Sequence, residues 1–269
     1  MQRTYGGAKD RWRPDDKIHR PSAVKLLDLV DNSQFEGPVQ NQGSMGACEG
    51  EGWSGIGTLK AKKQGIYKEQ FSAKWVWNGA RAMEAVLAYN CGVQTGDAAD
   101  WVKRYGYLLD HYWPLDPNTL DPTPPPSADF PLAAQYAVKD TIRVTGNQDS
   151  ICEAIQTQDV VVIGTPWFPQ WEEPGPSGVL ATPKKGWNLP AGNWHCTRLH
   201  GADRKNGLFL GRNSWDWIWG RGGDYSMPFE AFDRFGDYGG WDCYYIVIPA
   251  WPVEPPPPSK CWLTSLFRN

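Results

Sequence analysis

The sequence contains no apolar run approaching the ~18 residues of a membrane span, so no transmembrane segment is expected. Residues 1–21 carry no apolar stretch of the kind a secretory signal needs. That predicts a cytoplasmic or virion-associated protein. No basic block or stripe stands out from a net charge of -3, which argues against nucleic acid as a partner. The six cysteines, at 48, 91, 152, 196, 243 and 261, include no CxxC pair. Zinc sites usually show paired ligands, so neither a metal nor another cofactor is expected. Without an export signal, reduced thiols are the default. No internal repeat is evident.

What is present fits a globular chain of 269 residues with 41% hydrophobic and 21% charged residues, large enough for one big domain or two lobes. Sixteen tryptophans and 23 prolines add aromatic packing and many loops. Residues 1–37 are polar and turn-rich, and are expected to form an extended arm across the surface. Residues 38–47 form a loop. A helix is expected from Cys48 to about Lys63 despite Gly50, Gly52, Gly55 and Gly57. Each glycine costs a helix roughly 1 kcal/mol, so this one needs support from its neighbours. Apolar spacing predicts helices over 72–88, capped by Ser72, and over 96–105, ended by Gly106.

The proline-rich stretch 113–131 excludes regular structure and reads as a crossover. Beyond it the pattern changes to strands at 139–144, 160–164, 195–201, 207–212 and 244–248, with a short helix at 150–157. The expected fold is α+β. A helical lobe spans 38–131 and a β-rich lobe spans 132–250. The last part, 251–269, reads as a proline-rich linker with an apolar tail suited to docking on a protein partner.

Three constellations carry chemistry. In Gln42-Gly43-Ser44-Met45-Gly46-Ala47-Cys48, a glycine-rich loop delivers a thiol to a helix N-terminus, where a thiolate is favoured. Gln42 can aim a side-chain N–H at the same place, making a two-donor oxyanion hole with the Cys48 N–H. Asn193-Trp194-His195 brings an imidazole into a strand, and Asn213-Ser214-Trp215 opens an aromatic turn. An asparagine can fix the histidine tautomer while a tryptophan two residues on covers the bond. Singly, each has a bland reading: a buried inert thiol, a satisfied core histidine, a packing turn. The order Cys…His…Asn, with gaps of 147 and 18 residues, is the order and spacing known for papain-like enzymes.

The chain therefore resembles the papain family of cysteine peptidases, especially its shorter bacterial and phage members. The likeness runs over about 12–248. QGSMGAC is similar to the family's QGxxG[SA]C loop, YGYLLDHYWP to its YGxxxExx(W/Y)P segment, and His195–Asp203 with Leu208–Gly223 to its Hx5GxD and (K/R)NSWxxxWGxGG signatures. The resemblance implies a two-lobe fold whose C-terminal lobe is an antiparallel, barrel-like sheet, with the cleft between the lobes. It implies a polypeptide substrate, Cys48 as nucleophile, His195 as acid–base, Asn213 as orienter and Gln42 in the oxyanion hole. Trp215 shields the His195–Asn213 contact, and Gly92, Trp194 and Trp215 are the expected substrate-binding residues.

The chain also departs from the family. Met45 replaces a cysteine that is often disulfide-bonded, and Glu49 replaces the aromatic after the nucleophile. A carboxylate there would raise the Cys48 pKa or complement the helix dipole. Arg198 and His200 stand where apolar strand residues are usual. No long helical propeptide fits into residues 1–37, so any restraint on activity must take another form. The rival readings are an inactive papain-like structural component, for example of a virion, and a cell-wall amidase.

Overall fold

A computed structural model describes residues 5–66 and 69–252. The elements run β1 (Gly7–Ala8), β2 (Lys17–Ile18), β3 (Leu29–Asp31), α1 (Cys48–Lys63), α2 (Ala73–Met83), β4 (Val93–Gln94), α3 (Thr95–Tyr105) and α4 (Phe130–Ala133). Then come β5 (Asp140–Arg143), α5 (Gln148–Gln158), β6 (Val161–Pro166), β7 (Trp194–Asp203), β8 (Leu208–Arg212), β9 (Asp224–Pro228), α6 (Phe229–Phe235) and β10 (Asp242–Val247). After the arm's strands β1–β3, the long helices α1–α3 precede the main run of strands β5–β10, as the α+β reading expects.

Among the described residues the main sheet has eight strands, in the order β2-β5-β10-β6-β7-β8-β9 with β3 pairing the C-terminal part of β7. It corrects the barrel-like expectation. The sheet is open, with β2 and β9 at its edges, and β2 lies parallel to β5 while the other pairs are antiparallel. The side-chain period of two makes it two-faced. Val162, Tyr244 and Ile246 join a core with α1, α2 and α3. Their neighbours Val161, Ile163, Cys243 and Tyr245 join a second core with α5 and α6.

Helix α1 has the predicted bounds and is buried from Cys48 through Ala61. A helix enclosed on every side needs small residues where partners come close. A Cβ on Gly55, for example, would stand 2.4 Å from the Arg198 guanidinium. Tertiary contact thus outweighs the propensity cost of the glycines. Lys60, Lys62 and Lys63 in its last turn complement its dipole.

Helix α2 is capped as predicted, with Ser72 Oγ accepting from the Trp75 N–H at 2.9 Å. It stops at Met83, short of 88, because Ala85 turns left-handed (φ 58°) and Arg81 gathers the carbonyls of Leu87 and Tyr89. The proline-rich stretch is irregular except at its end. There Ser127–Asp129 forms a 3-10 turn that leads into α4, with Pro131 in the first turn, where its missing N–H costs nothing.

The arm is more than a surface strap. It adds β2 and β3 to the sheet and β1 to β4. Arg198 and His200 point inward, and Glu36 on the arm answers both, at 2.9 Å from Arg198 Nε and 2.9 Å from His200 Nδ1. Burial alone would raise the Glu36 pKa, but Arg198 and His200 hold it down to about 2. The tail expected to dock on a partner, beyond Pro252, lies outside the described residues.

Candidate active site

Cys48 opens α1 and is 0% exposed. The backbone N–H of Cys196, on β7, points at its sulfur at 3.4 Å. The residue before Cys196 is His195, so α1 and β7 bring the Cys48 sulfur to the backbone beside His195. His195 Nε2 lies 2.7 Å from Asn213 Oδ1, which also accepts the Ser214 N–H at 2.8 Å. Nε2 is therefore the protonated nitrogen, and Nδ1 is the one that can exchange a proton with a nucleophile. The Trp215 ring lies over the imidazole, 4.6 Å between centroids and tilted by 30°. Trp167, which the sequence reading did not single out, closes a second side at 4.7 Å.

Gln42 is buried with its amide held from both ends. Nε2 donates to Met45 O at 2.8 Å, and Oε1 accepts from Ser214 Oγ at 2.7 Å. The backbone N–H of Gln42 also bonds Ser214 O at 3.0 Å, which ties the glycine-rich loop to the Asn213 turn. The four residues named as catalytic thus share one buried locus. Among the described residues no group of three or more His, Cys, Asp or Glu is arranged to hold a metal ion.

The sequence did not reveal what lies across this locus. The chain's own N-terminal segment runs through it. The Tyr5 ring stands edge-on to His195 at 6.3 Å and to Trp215 at 6.0 Å, and its hydroxyl donates to Glu172. The Gly6 backbone N–H reaches the Cys48 sulfur. Gly6 O accepts from Val93 N–H at 3.2 Å, and β1 continues parallel to β4. Gly92 and Trp194, both expected to bind substrate, flank this segment. A Cβ on Gly92 would lie 2.0 Å from Gly6 O, and one on Gly7 would lie 2.8 Å from the Trp194 ring. The adjacent Gly6-Gly7 pair was the only sequence hint of so close an approach.

Buried in this way, the thiol is not activated. Burial first, and then the neighbouring Glu49 carboxyl, push the Cys48 thiol far above its ordinary range, although three backbone N–H groups oppose the shift.

No family model matches the chain. An uncharacterized peptidase C1-like protein of Acanthamoeba polyphaga mimivirus is 22% identical over 202 residues, 71% of this chain. The chain spans 64% of that relative's length. Among solved structures, xylellain, a cysteine protease from Xylella fastidiosa, superposes with a TM-score of 0.79 at 19% identity, over 91% of this chain and 96% of its own. Procathepsin B S9 of Trypanosoma congolense gives a TM-score of 0.70 at 12% identity, over 90% and 86%. This is the papain-like cysteine protease fold. Within the papain-like fold, Met45 is a buried core residue and no disulfide occurs among the described cysteines.

Proposed function

We propose that the chain is a papain-like cysteine peptidase that hydrolyses polypeptides and is seen here in a closed form. The helical part, 38–131, would supply Cys48 and Gln42. The strand-rich part, 132–250, would supply His195 and Asn213. The observation that carries this reading is the single buried locus in which the Cys196 N–H meets the Cys48 sulfur while the adjacent His195 bonds Asn213.

In the open form His195 Nδ1 takes the thiol proton, and the thiolate attacks the scissile carbonyl. The oxyanion is held by the Cys48 N–H and by the second N–H of the Gln42 amide. The imidazolium then gives its proton to the leaving amine as the C–N bond breaks. Water, deprotonated by His195, attacks the thioester, and Cys48 leaves as the thiol after reprotonation.

The arm fits this site without being a substrate. A leaving amine must lie beside His195, so a substrate's C-terminal half belongs there. The arm instead has Tyr5, the residue N-terminal to Gly6, on the His195 side and Gly7–Ala8 along β4. It runs backwards, and no carbonyl is offered for attack in the productive sense. An arm that buries the site accounts for the inert thiol without requiring the inactive-scaffold reading.

The test is mass spectrometry after treatment with a peptide-like epoxide. One adduct is expected, on Cys48 and absent from Cys48→Ala. Adducts on other cysteines, or none after prolonged exposure, would overturn the reading.

A further inference from the structure

Glu49 follows the nucleophile directly, and the mechanism above does not use it. Its carboxyl is 0% exposed. Oε1 accepts from Thr95 Oγ1 on α3 at 2.8 Å, and the carboxyl also meets the Cys196 thiol of β7. From α1 it is faced by Cys48. The charged groups nearest on the other packed elements are Asp242 of β10 and Asp10 of the arm. The cations in this region answer those two acids and not Glu49: Arg143 Nη2 donates to Asp242 at 2.7 Å, with Lys9 also acting on it, and Arg13 Nε donates to Asp10 at 3.2 Å. A carboxylate at position 49 would thus be a buried charge among two other acids and two thiols, with no cation on it among the described residues.

We propose that Glu49 is a neutral carboxylic acid in the working protein and a positioning residue for Cys48. Its carboxyl accepts from Thr95 Oγ1, meets the Cys196 thiol, and so fixes the Cys196 N–H at the nucleophile's sulfur. A neutral acid also spares the thiolate a like charge one residue away. Burial pushes Glu49 up to about 8, against the hydrogen bonds from Cys196 and Thr95 and with a smaller push from Asp242 and Asp10. The role of the residue rests on Cys48 being the nucleophile; its protonation state does not.

The two parts are therefore tested separately on the full chain. Infrared difference spectra between wild type and Glu49→Gln should contain a buried protonated-carboxyl C=O band at about pH 6 that fades by about pH 9.5. The native state then holds a proton that the unfolded chain has lost. Stability from Glu49 is complete below its ordinary 4.5 and lost as pH rises toward about 8. The folding equilibrium of Glu49→Gln should accordingly gain on wild type by up to about tenfold per pH unit across that window, and then level off. A carboxylate band at about pH 6, or a stability difference that is flat across the window, overturns the neutral acid.

For positioning, the part of the Cys48 alkylation profile below about pH 8 should be unmoved in Glu49→Gln, since there one neutral group replaces another. A shift down by about one unit or more would mean that a charge had been removed. Glu49→Met supplies the same subtraction if Glu49→Gln does not fold. Folded Glu49→Met should alkylate severalfold more slowly, and a rate equal to wild type overturns the positioning role.

Discussion

The ring of Tyr5 stands at 87° to that of His195, with its edge toward the imidazole, and the next residue, Gly6, brings its backbone N–H to the Cys48 sulfur. Two residues from the far N-terminal end thus cover the two groups on which the chemistry depends. The cover tolerates no side chain at position 6, because a Cβ there would stand 2.1 Å from Gly46 O. Gly6→Val should force the arm out at a cost of about 1–3 kcal/mol. Labelling of Cys48 by the epoxide should then speed up by about tenfold or more, measured as a second-order rate. The body of the fold should keep its urea midpoint within a small margin, since only Tyr5 of this segment packs against a core.

Asn213 carries the imidazole tautomer. Asn213→Ala removes the acceptor that holds the Nε2 proton and should lower kcat by roughly 10²–10⁴-fold with a much smaller change in KM. Steady-state kinetics on an arm-displaced background would read this directly. A pure KM effect would assign Asn213 to substrate binding instead.

Gln42 has a separate role. Its Oε1 is already anchored by Ser214, so its N–H groups have a fixed direction. Gln42→Ala should cost about 10²–10³-fold in kcat, as loss of one oxyanion donor does. The rate of Cys48 alkylation by a small haloacetamide, which builds no oxyanion, should change far less.

The buried Glu36–Arg198–His200 cluster ties the arm to β7. Glu36→Gln leaves Arg198 without its countercharge and should destabilise the fold by about 3–5 kcal/mol, read from urea unfolding near neutral pH. The Glu36 pKa is depressed from 4.5 to about 2, so its contribution is present above 4.5 and fades as pH falls through about 2. The wild-type advantage over Glu36→Gln should shrink accordingly in acid.

Much of this was legible in the sequence for local reasons. The loop-to-helix junction at Cys48, the Ser72 cap and the Gly106 stop (φ 75°) are written in adjacent residues, and they appear where expected. The motifs of Cys48, His195, Asn213 and Gln42 carry both order and spacing, and their catalytic role is the reading proposed above. The contacts that were not legible are long-range. Strand β9 and helix α6 lack a strong local pattern. The inward turn of Arg198 depends on Glu36, 162 positions away in the chain. The arm's place in the site depends on Gly6 meeting Gly46 and Gly92, an encounter of three backbones that no periodicity records. The sheet's parallel edge is β2, a two-residue strand that the polar arm concealed.

The most direct measurement is cleavage of an unfolded polypeptide by Gly6→Val beside the double variant Gly6→Val/Cys48→Ala. A peptidase closed by its own arm predicts fragments from the first, faster than from wild type, and none from the second. An intact substrate with Gly6→Val, or equal cleavage by both variants, would contradict it.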